Sequence, residues 1–301
     1  MTDARQIFDR GLLWRRRNRA AATADQHDFL LASVANDLME RLAIVRRHFA
    51  VALNLGAHHG LLGERLRSLP GVETVIHLEP VAELVRQCPG LRVQADEEAL
   101  PFRSQSLDLV ASALALQLVN DLPGTLLQIR HALKPDGLLL AALLGGDTLI
   151  ELRTALLLAE EEVEGGVSPR VAPFADVRDL GALLPRAGFA LPVADAYSIT
   201  VTYPDPLALM RELRAVGVAN ALRARARKPL RRQTLARALE LYSERYALPN
   251  GRVPATFEIV TLTGWAPHQN QQQPLRPGSA KMRLAEALNT HERSAIGRAT
   301  D

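Results

Sequence analysis

VALNLGAHHG, Val51–Gly60, is an apolar run that stops at one glycine and meets a second four residues later. A buried strand ending in spaced glycines is how a doubly wound α/β domain opens a nucleotide pocket. Gly56 lets the chain turn sharply as the strand ends, and Gly60 lets backbone N–H groups approach a ligand closely. A full loop of this type carries an acid where Asn54 stands and a third glycine where His58 stands. Alone, the stretch also reads as an ordinary strand-to-helix turn, so the decision passes to what surrounds it.

From Phe49 onward short apolar runs alternate with helix-period stretches. The expected strands are Phe49–Leu55, Thr74–Leu78, Leu91–Gln94, Leu107–Ser112 and Gly137–Leu144, and the expected helices between them are Leu61–Ser68, Pro80–Gln87 and Leu122–Leu133. Such alternation predicts parallel strands joined by right-handed crossovers. Turn signals fall between the runs, at Leu69–Gly71, Cys88–Gly90 and Lys134–Gly137. Upstream, Asp25–His48 reads as one amphipathic helix, with Phe29, Leu30, Val34, Leu38, Leu42 and Val45 at helical spacing.

Downstream, GGDTLIELRTALLLAEEE predicts a helix with Asp147 as its N-cap and Gly165-Gly166 as its stop. A helix over Asp176–Arg186, an extended Ala190–Tyr203 and helices over Pro206–Arg225 and Arg231–Tyr246 follow. A β-branched final strand, Thr256–Trp265, closes the series. The resulting partition is an N-terminal helical lid (1–48), a binding core (49–145), a C-terminal half with a helical insertion (146–265) and a polar, mobile tail (266–301).

Composition narrows the function classes. The 301 residues are 48% hydrophobic, ample for a core, but only 4% aromatic, which disfavours stacking platforms for single-stranded nucleic acid. Lys+Arg 36 against Asp+Glu 33 leaves a net charge of +3, too close to balance to imply nucleic acid. The single Cys88 forms no internal disulfide and no cysteine-based zinc site, which fits a reducing compartment. With no cleavable signal pattern and no run of about 18 apolar residues, the expectation is a soluble cytoplasmic protein.

Three acids, at two places in the chain, extend the glycine loop into a candidate site. Glu79 ends the second strand, where one carboxylate can accept from both ribose hydroxyls of a nucleotide. Ala95–Phe102, ADEEALPF, follows the third strand. Asp96 is suited to accept from the exocyclic amine of adenine, and Glu97 or its amide to meet a ring nitrogen. Each acid alone also reads as a solvated loop residue; their order after the glycine loop is what argues for a site.

That ordered series, with SLDLV at Ser106–Val110 and LKPDG at Leu133–Gly137, resembles the class I S-adenosylmethionine-dependent methyltransferases. The resemblance implies S-adenosylmethionine as cofactor, with Asn54, Gly56, His58, Gly60, Glu79, Asp96 and Glu97 at its site. A closer resemblance runs through IFDR at Ile7–Arg10, VNDLP at Val119–Pro123, GGDTLIELR at Gly145–Arg153, the segment Glu164–Phe189 and VPATFEI at Val253–Ile259. It is to the complex I assembly factor 5 (arginine hydroxylase) family and its proteobacterial relatives. This implies a seven-stranded, mostly parallel, Rossmann-like α/β sheet with an N-terminal helical segment and a helical insertion before the last strand.

It also implies modification of a protein side chain, by arginine hydroxylation or methyl transfer, with a respiratory complex I subunit as substrate. The sequence departs from the family at Asn54, at His58 and at Gln117-Leu118, where the family has His-Trp. Those departures keep two alternatives open: a non-catalytic assembly chaperone with a degenerate cofactor site, and a small-molecule methyltransferase.

No catalytic residue is identified outright; the candidates are Asp147, Glu151 and Gln117. Asp147 and Glu151 would receive a substrate guanidinium, which pairs bidentately with carboxylates. His58, His59 and His77 with Glu79 have the donor types of a non-haem iron site. Adjacent residues of one turn rarely converge on a metal, so loop histidines without a metal are the expectation. The basic clusters Arg15–Arg17 with Arg19, and Arg223–Lys228, read as solvated helix faces, with peripheral contact to acidic lipid as the secondary reading.

Overall fold

The structure, a computed structural model, describes residues 6–271 together with Met282 and Glu286. Most of the expected tail, 266–301, therefore lies outside the described residues. Residues up to Pro267 form one compact unit.

Its frame is a seven-stranded sheet of β1 (Val51–Leu55), β2 (Thr74–Leu78), β3 (Leu91–Val93), β4 (Leu107–Ala113), β5 (Leu133–Leu144), β6 (Ala190–Tyr203) and β7 (Val253–Trp265) in the order β3-β2-β1-β4-β5-β7-β6. The first five strands are parallel, and β7 runs antiparallel between β5 and β6. All seven expected strands are present. The extended segment and the final strand expected near the C-terminus become β6 and β7, which pair with each other. The chain reverses direction across the sheet between β1 and β4, where β1's loop and β4's end face outward together; ligands of open α/β sheets bind at such a point.

Alternate strand residues feed the two faces, as a period of two requires. Ala52, Leu109, Leu138, Leu140 and Ile259 pack under α2 (Phe29–Ala43), α3 (Leu61–Arg67), α6 (Ile150–Glu164), α8 (Pro206–Ala215) and α9 (Arg232–Tyr246). Leu53, Val110, Leu139 and Val260 pack under α5 (Leu122–Ala132) and α7 (Val177–Arg186). The remaining helix of the crossovers, α4 (Ala82–Gln87), joins β2 to β3.

Three local expectations are corrected. The Asp25–His48 helix is shorter: a 3-10 segment (Ala21–His27) precedes α2, which ends at Ala43. The Pro206–Arg225 helix stops at Ala215, because Gly217 takes φ 81° and packs so close that a Cβ would stand 2.8 Å from the Arg17 Cα. Asp147 does not cap α6; Leu149, in the left-handed region at φ 56°, is the cap residue.

The largest difference lies at the N-terminus. Residues 10–20 form α1 (Arg10–Ala20), capped by Asp9, whose carboxylate accepts from the Leu12 N–H at 3.0 Å. The arginine cluster in it is not simply a solvated face: Arg17 is 6% exposed. The segment is fastened to the loop after α8 by the Phe8–Leu222 bridge, by Asp9 N–H to the Ala221 carbonyl (2.8 Å) and by Arg16 to the carbonyls of Ala219 (2.8 Å) and Asn220 (2.6 Å).

Candidate functional site

β1 delivers Gly56 at φ 65°, where a Cβ would stand 2.1 Å from the Ala115 Cβ. Packing and backbone conformation both demand glycine there. His58, on the position of the family's third glycine, keeps the left-handed backbone at φ 51°. An L side chain in that region costs about 1–2 kcal/mol. Two contacts offset it: Nε2 lies 3.0 Å from the Ala113 carbonyl and Nδ1 3.0 Å from Arg17 Nη2. A carbonyl only accepts and a guanidinium only donates, so Nε2 carries the proton and Nδ1 accepts. Burial, with Arg17 beside it, holds the His58 pKa down at about 3, so the ring stays neutral.

Asn54 is not brought to the loop. It is 1% exposed and opposite His77 in the β1–β2 ladder, with Nδ2 3.4 Å from His77 Nδ1. The site's missing acid is thus replaced by a strand-to-strand polar pair. His77 is fully buried, and burial lowers its pKa to about 4.

Glu79, fully buried at the end of β2, accepts the His58 backbone N–H at 2.9 Å and the Val81 N–H at 3.1 Å. Arg17 grips the same carboxylate with both terminal nitrogens, each 3.1 Å from an oxygen. Beyond β3, Arg10 bonds Asp96 Oδ1 at 2.7 Å, contacts Glu97 Oε2 and lies 3.2 Å from Glu98 Oε1. Arg10 Nε remains buried without an acceptor, which costs about 1–3 kcal/mol, while Nη1 faces Glu98 Oε1 as an ion pair without a hydrogen bond. Burial pushes the Glu97 carboxyl up to about 7 against the pull of Arg10, and neighbouring Glu79 pushes the same way.

The loop and both acid positions therefore share one edge, and the donor set fits a nucleoside: a buried carboxylate for the ribose, an acid and a backbone turn for the base. Arg10 and Arg17 sit on those acids, and the cavity left between α1 and the loop is about 20 Å³, roughly the space of one or two waters.

A second cavity of about 200 Å³ adjoins it at the carboxyl edge of the sheet. Its walls are mostly apolar, from Phe8, Leu31, Leu149, Phe174, Val218 and Phe257 among others. Two carboxylates line it, Asp28 and Glu212. Each is held by a histidine: Asp28 Oδ2 lies 3.2 Å from His59 Nε2, and Glu212 Oε2 lies 3.0 Å from His27 Nδ1. Asp28 stands at the N-cap position of α2, yet its side chain makes no capping bond. The two arginines of the wall are already paired, Arg17 with Glu79 and Arg170 with Glu160.

Of the three catalytic candidates, only Gln117 lines this cavity. Its Nε2 donates to the Leu114 carbonyl at 2.8 Å, which fixes the amide plane. Asp147 is exposed, and Glu151 is turned away onto Thr256, accepting from the N–H at 3.1 Å and from the hydroxyl. The acids suited to a cationic substrate are thus Asp28 and Glu212, and sequence reading missed both. Their only signal was their residue type; the segments that carry them are remote in sequence. Cys88 is no nucleophile: burial first, then Glu79, pushes its thiol up to about 12. Among the described residues no three His, Cys, Asp or Glu side chains stand where they could share a metal ion. No described helix is long and apolar enough to cross a membrane.

Strand order, glycine loop and acid positions define a class I S-adenosylmethionine-dependent methyltransferase fold. Residues 53–141 match the methyltransferase domain family. The Mus musculus protein named arginine-hydroxylase NDUFAF5, mitochondrial, is 41% identical over 299 residues, covering 96% of this chain and 86% of its own. A malonyl-[acyl-carrier protein] O-methyltransferase of Halorhodospira halophila is 38% identical over 268 residues, covering 86% and 89%. In three dimensions, a candidate methyltransferase from Bacillus halodurans C-125 superposes with a TM-score of 0.54 at 14% identity, over 78% of this chain and 100% of that one.

The chain belongs to the family of the NDUFAF5 arginine hydroxylases, and it is an enzyme of the methyltransferase class with S-adenosylmethionine as cofactor. The expected cytoplasmic location does not stand: these arginine-hydroxylase relatives are mitochondrial proteins. The expectation rested on features the sequence does not show, and an absence carries no address.

Proposed function

We propose that this enzyme uses S-adenosylmethionine to modify an arginine side chain of a protein, a respiratory complex I subunit, during assembly of that complex. The observation that carries the reading is the 200 Å³ pocket: apolar walls with two carboxylates, Asp28 and Glu212, each held by a histidine. An aliphatic stem suits the walls, and a guanidinium pairs with carboxylates in a bidentate fork. His59 and His27 would give up their carboxylates to it.

S-adenosylmethionine bound at the glycine loop supplies an electrophilic sulfonium methyl. The residues around it hold and orient the substrate, so positioning provides most of the rate. While Arg17 is docked, both ring nitrogens of His58 are engaged and the ring is neutral. His59, beside Asp28 on the pocket wall, is the group suited to take a proton from the substrate nitrogen.

The test incubates the purified protein with S-adenosylmethionine and arginine peptides from complex I subunits, alongside mass spectrometry of the same subunits from a deletion strain. A gain of one methyl on the peptide arginine, with release of S-adenosylhomocysteine and a proton, reports methyl transfer. A gain of one oxygen, which needs dioxygen and a two-electron reductant added to the assay, reports hydroxylation, and either mark should be absent in the deletion strain. Asp28→Asn and Glu212→Gln should each raise KM for the peptide about 10-fold or more, with kcat less affected. Unmodified arginines in the wild-type strain remove the proposal.

A further inference from the structure

We infer that Arg10 and Arg17 make α1 a built-in competitor for the cofactor, so that S-adenosylmethionine binding and opening of the N-terminal segment are one event. The inference rests on the cofactor reading above and goes beyond it. Glu79, which should accept the ribose hydroxyls, has both oxygens forked by Arg17. Asp96 and Glu97, which should meet the adenine, are both taken by Arg10. The same three acids are thus claimed twice, once by α1 and once by the cofactor.

The claim by α1 is not a fully satisfied one. Arg10 leaves Nε buried without an acceptor, its Nη1 faces Glu98 Oε1 at 3.2 Å as an ion pair without a hydrogen bond, and the cavity beside it is about 20 Å³. A permanent structural pair is expected to satisfy its buried donors. A displaceable one need not.

The consequence reaches the substrate pocket. Phe8, Leu13, Arg17, Ala20 and Ala24, from α1 and the residues flanking it, line the 200 Å³ cavity. The contacts of α1 with residues 216–222 close the same wall, through Arg16 and through Gly217, which packs on the Arg17 backbone. Cofactor binding that withdraws Arg17 from Glu79 therefore loosens a wall of the substrate pocket. The protein substrate enters after the cofactor, and the order is built into the fold.

Calorimetric titration of the full chain with S-adenosylhomocysteine compares wild type with Arg10→Ala, Arg17→Ala and the double variant. If the binding-competent state is on the order of a tenth of the population, removing the competitor tightens the apparent Kd by about 10-fold. Hydrogen exchange on the wild-type chain gives a second readout that needs no variant. Amides of Leu13–Ala20 should lose protection when the ligand is added.

Wild-type binding with equal or weaker binding in the variants, or protection of Leu13–Ala20 unchanged or increased by ligand, overturns the inference and leaves the cofactor reading intact. No binding in any of the chains, the double variant included, overturns the cofactor reading and the competitor with it.

Discussion

Gly56 and Gly165 both take positive φ, at 65° and 67°, yet they answer to different forces. A Cβ on Gly56 meets Ala115 at 2.1 Å, whereas one on Gly165 meets nothing within 4 Å. Gly165→Ala should therefore cost only the backbone penalty, about 1 kcal/mol. Gly56→Ala adds a clash in the packed floor of the site and should cost about 3 kcal/mol or more, with loss of cofactor binding. Urea denaturation of the two variants checks this; equal costs would mean that the β1 loop is free to shift away from Ala115. His58 shows the same logic met by a side chain: its left-handed backbone persists because Ala113 and Arg17 hold the ring.

At the scale of elements, α6 illustrates how a residue of the right type can have the wrong task. Glu151 lies in its first turn and reads as a guanidinium receiver, but its carboxylate joins α6 to β7 through Thr256. Glu151→Ala leaves the Thr256 N–H and hydroxyl without their acceptor and should cost about 2 kcal/mol of stability, leaving KM for an arginine peptide unchanged. Denaturation beside steady-state kinetics separates this from Glu212→Gln, which should do the reverse; a raised KM in Glu151→Ala returns that residue to the substrate site. α1 carries the complementary lesson. Its buried residues are only Leu13 and Arg17, so no apolar period marks it as packed, and Arg17 becomes buried only because Glu79 waits for it.

For the whole molecule, acid stability follows from the histidines that the fold keeps neutral. His77, fully buried, titrates at about 4 when folded and near 6.5 when unfolded. Its contribution to stability is therefore complete above pH 6.5 and is lost as pH falls toward 4, because only the unfolded chain takes the proton in that window. The loss attributable to His77 is about 3 kcal/mol at pH 4. His58, with its lower value of about 3, acts in the same direction over a wider window. Denaturation curves from pH 7 to pH 4 should steepen in pH dependence below 6.5, and His77→Leu should flatten them. An unchanged slope in that variant would mean that His77 is already protonated in the fold.

Much of this protein was legible from its amino acids alone. Spaced glycines after β1, the alternation of short apolar runs with helical periods and the turn residues at each junction are local properties, fixed by backbone sterics and by what a few neighbouring residues can bury. They determined the strands, their parallel class and the edge where Gly56, Glu79, Asp96 and Glu97 converge. What they could not determine were pairings between distant segments. Arg17 meets Glu79 across 62 positions and His27 meets Glu212 across 185. Asn54 faces His77 only because β1 and β2 are adjacent in the sheet. Which acids line the larger cavity, and which are covered by α1, were decided by tertiary structure alone, because a charge's partner depends on distance in space and not on spacing along the chain.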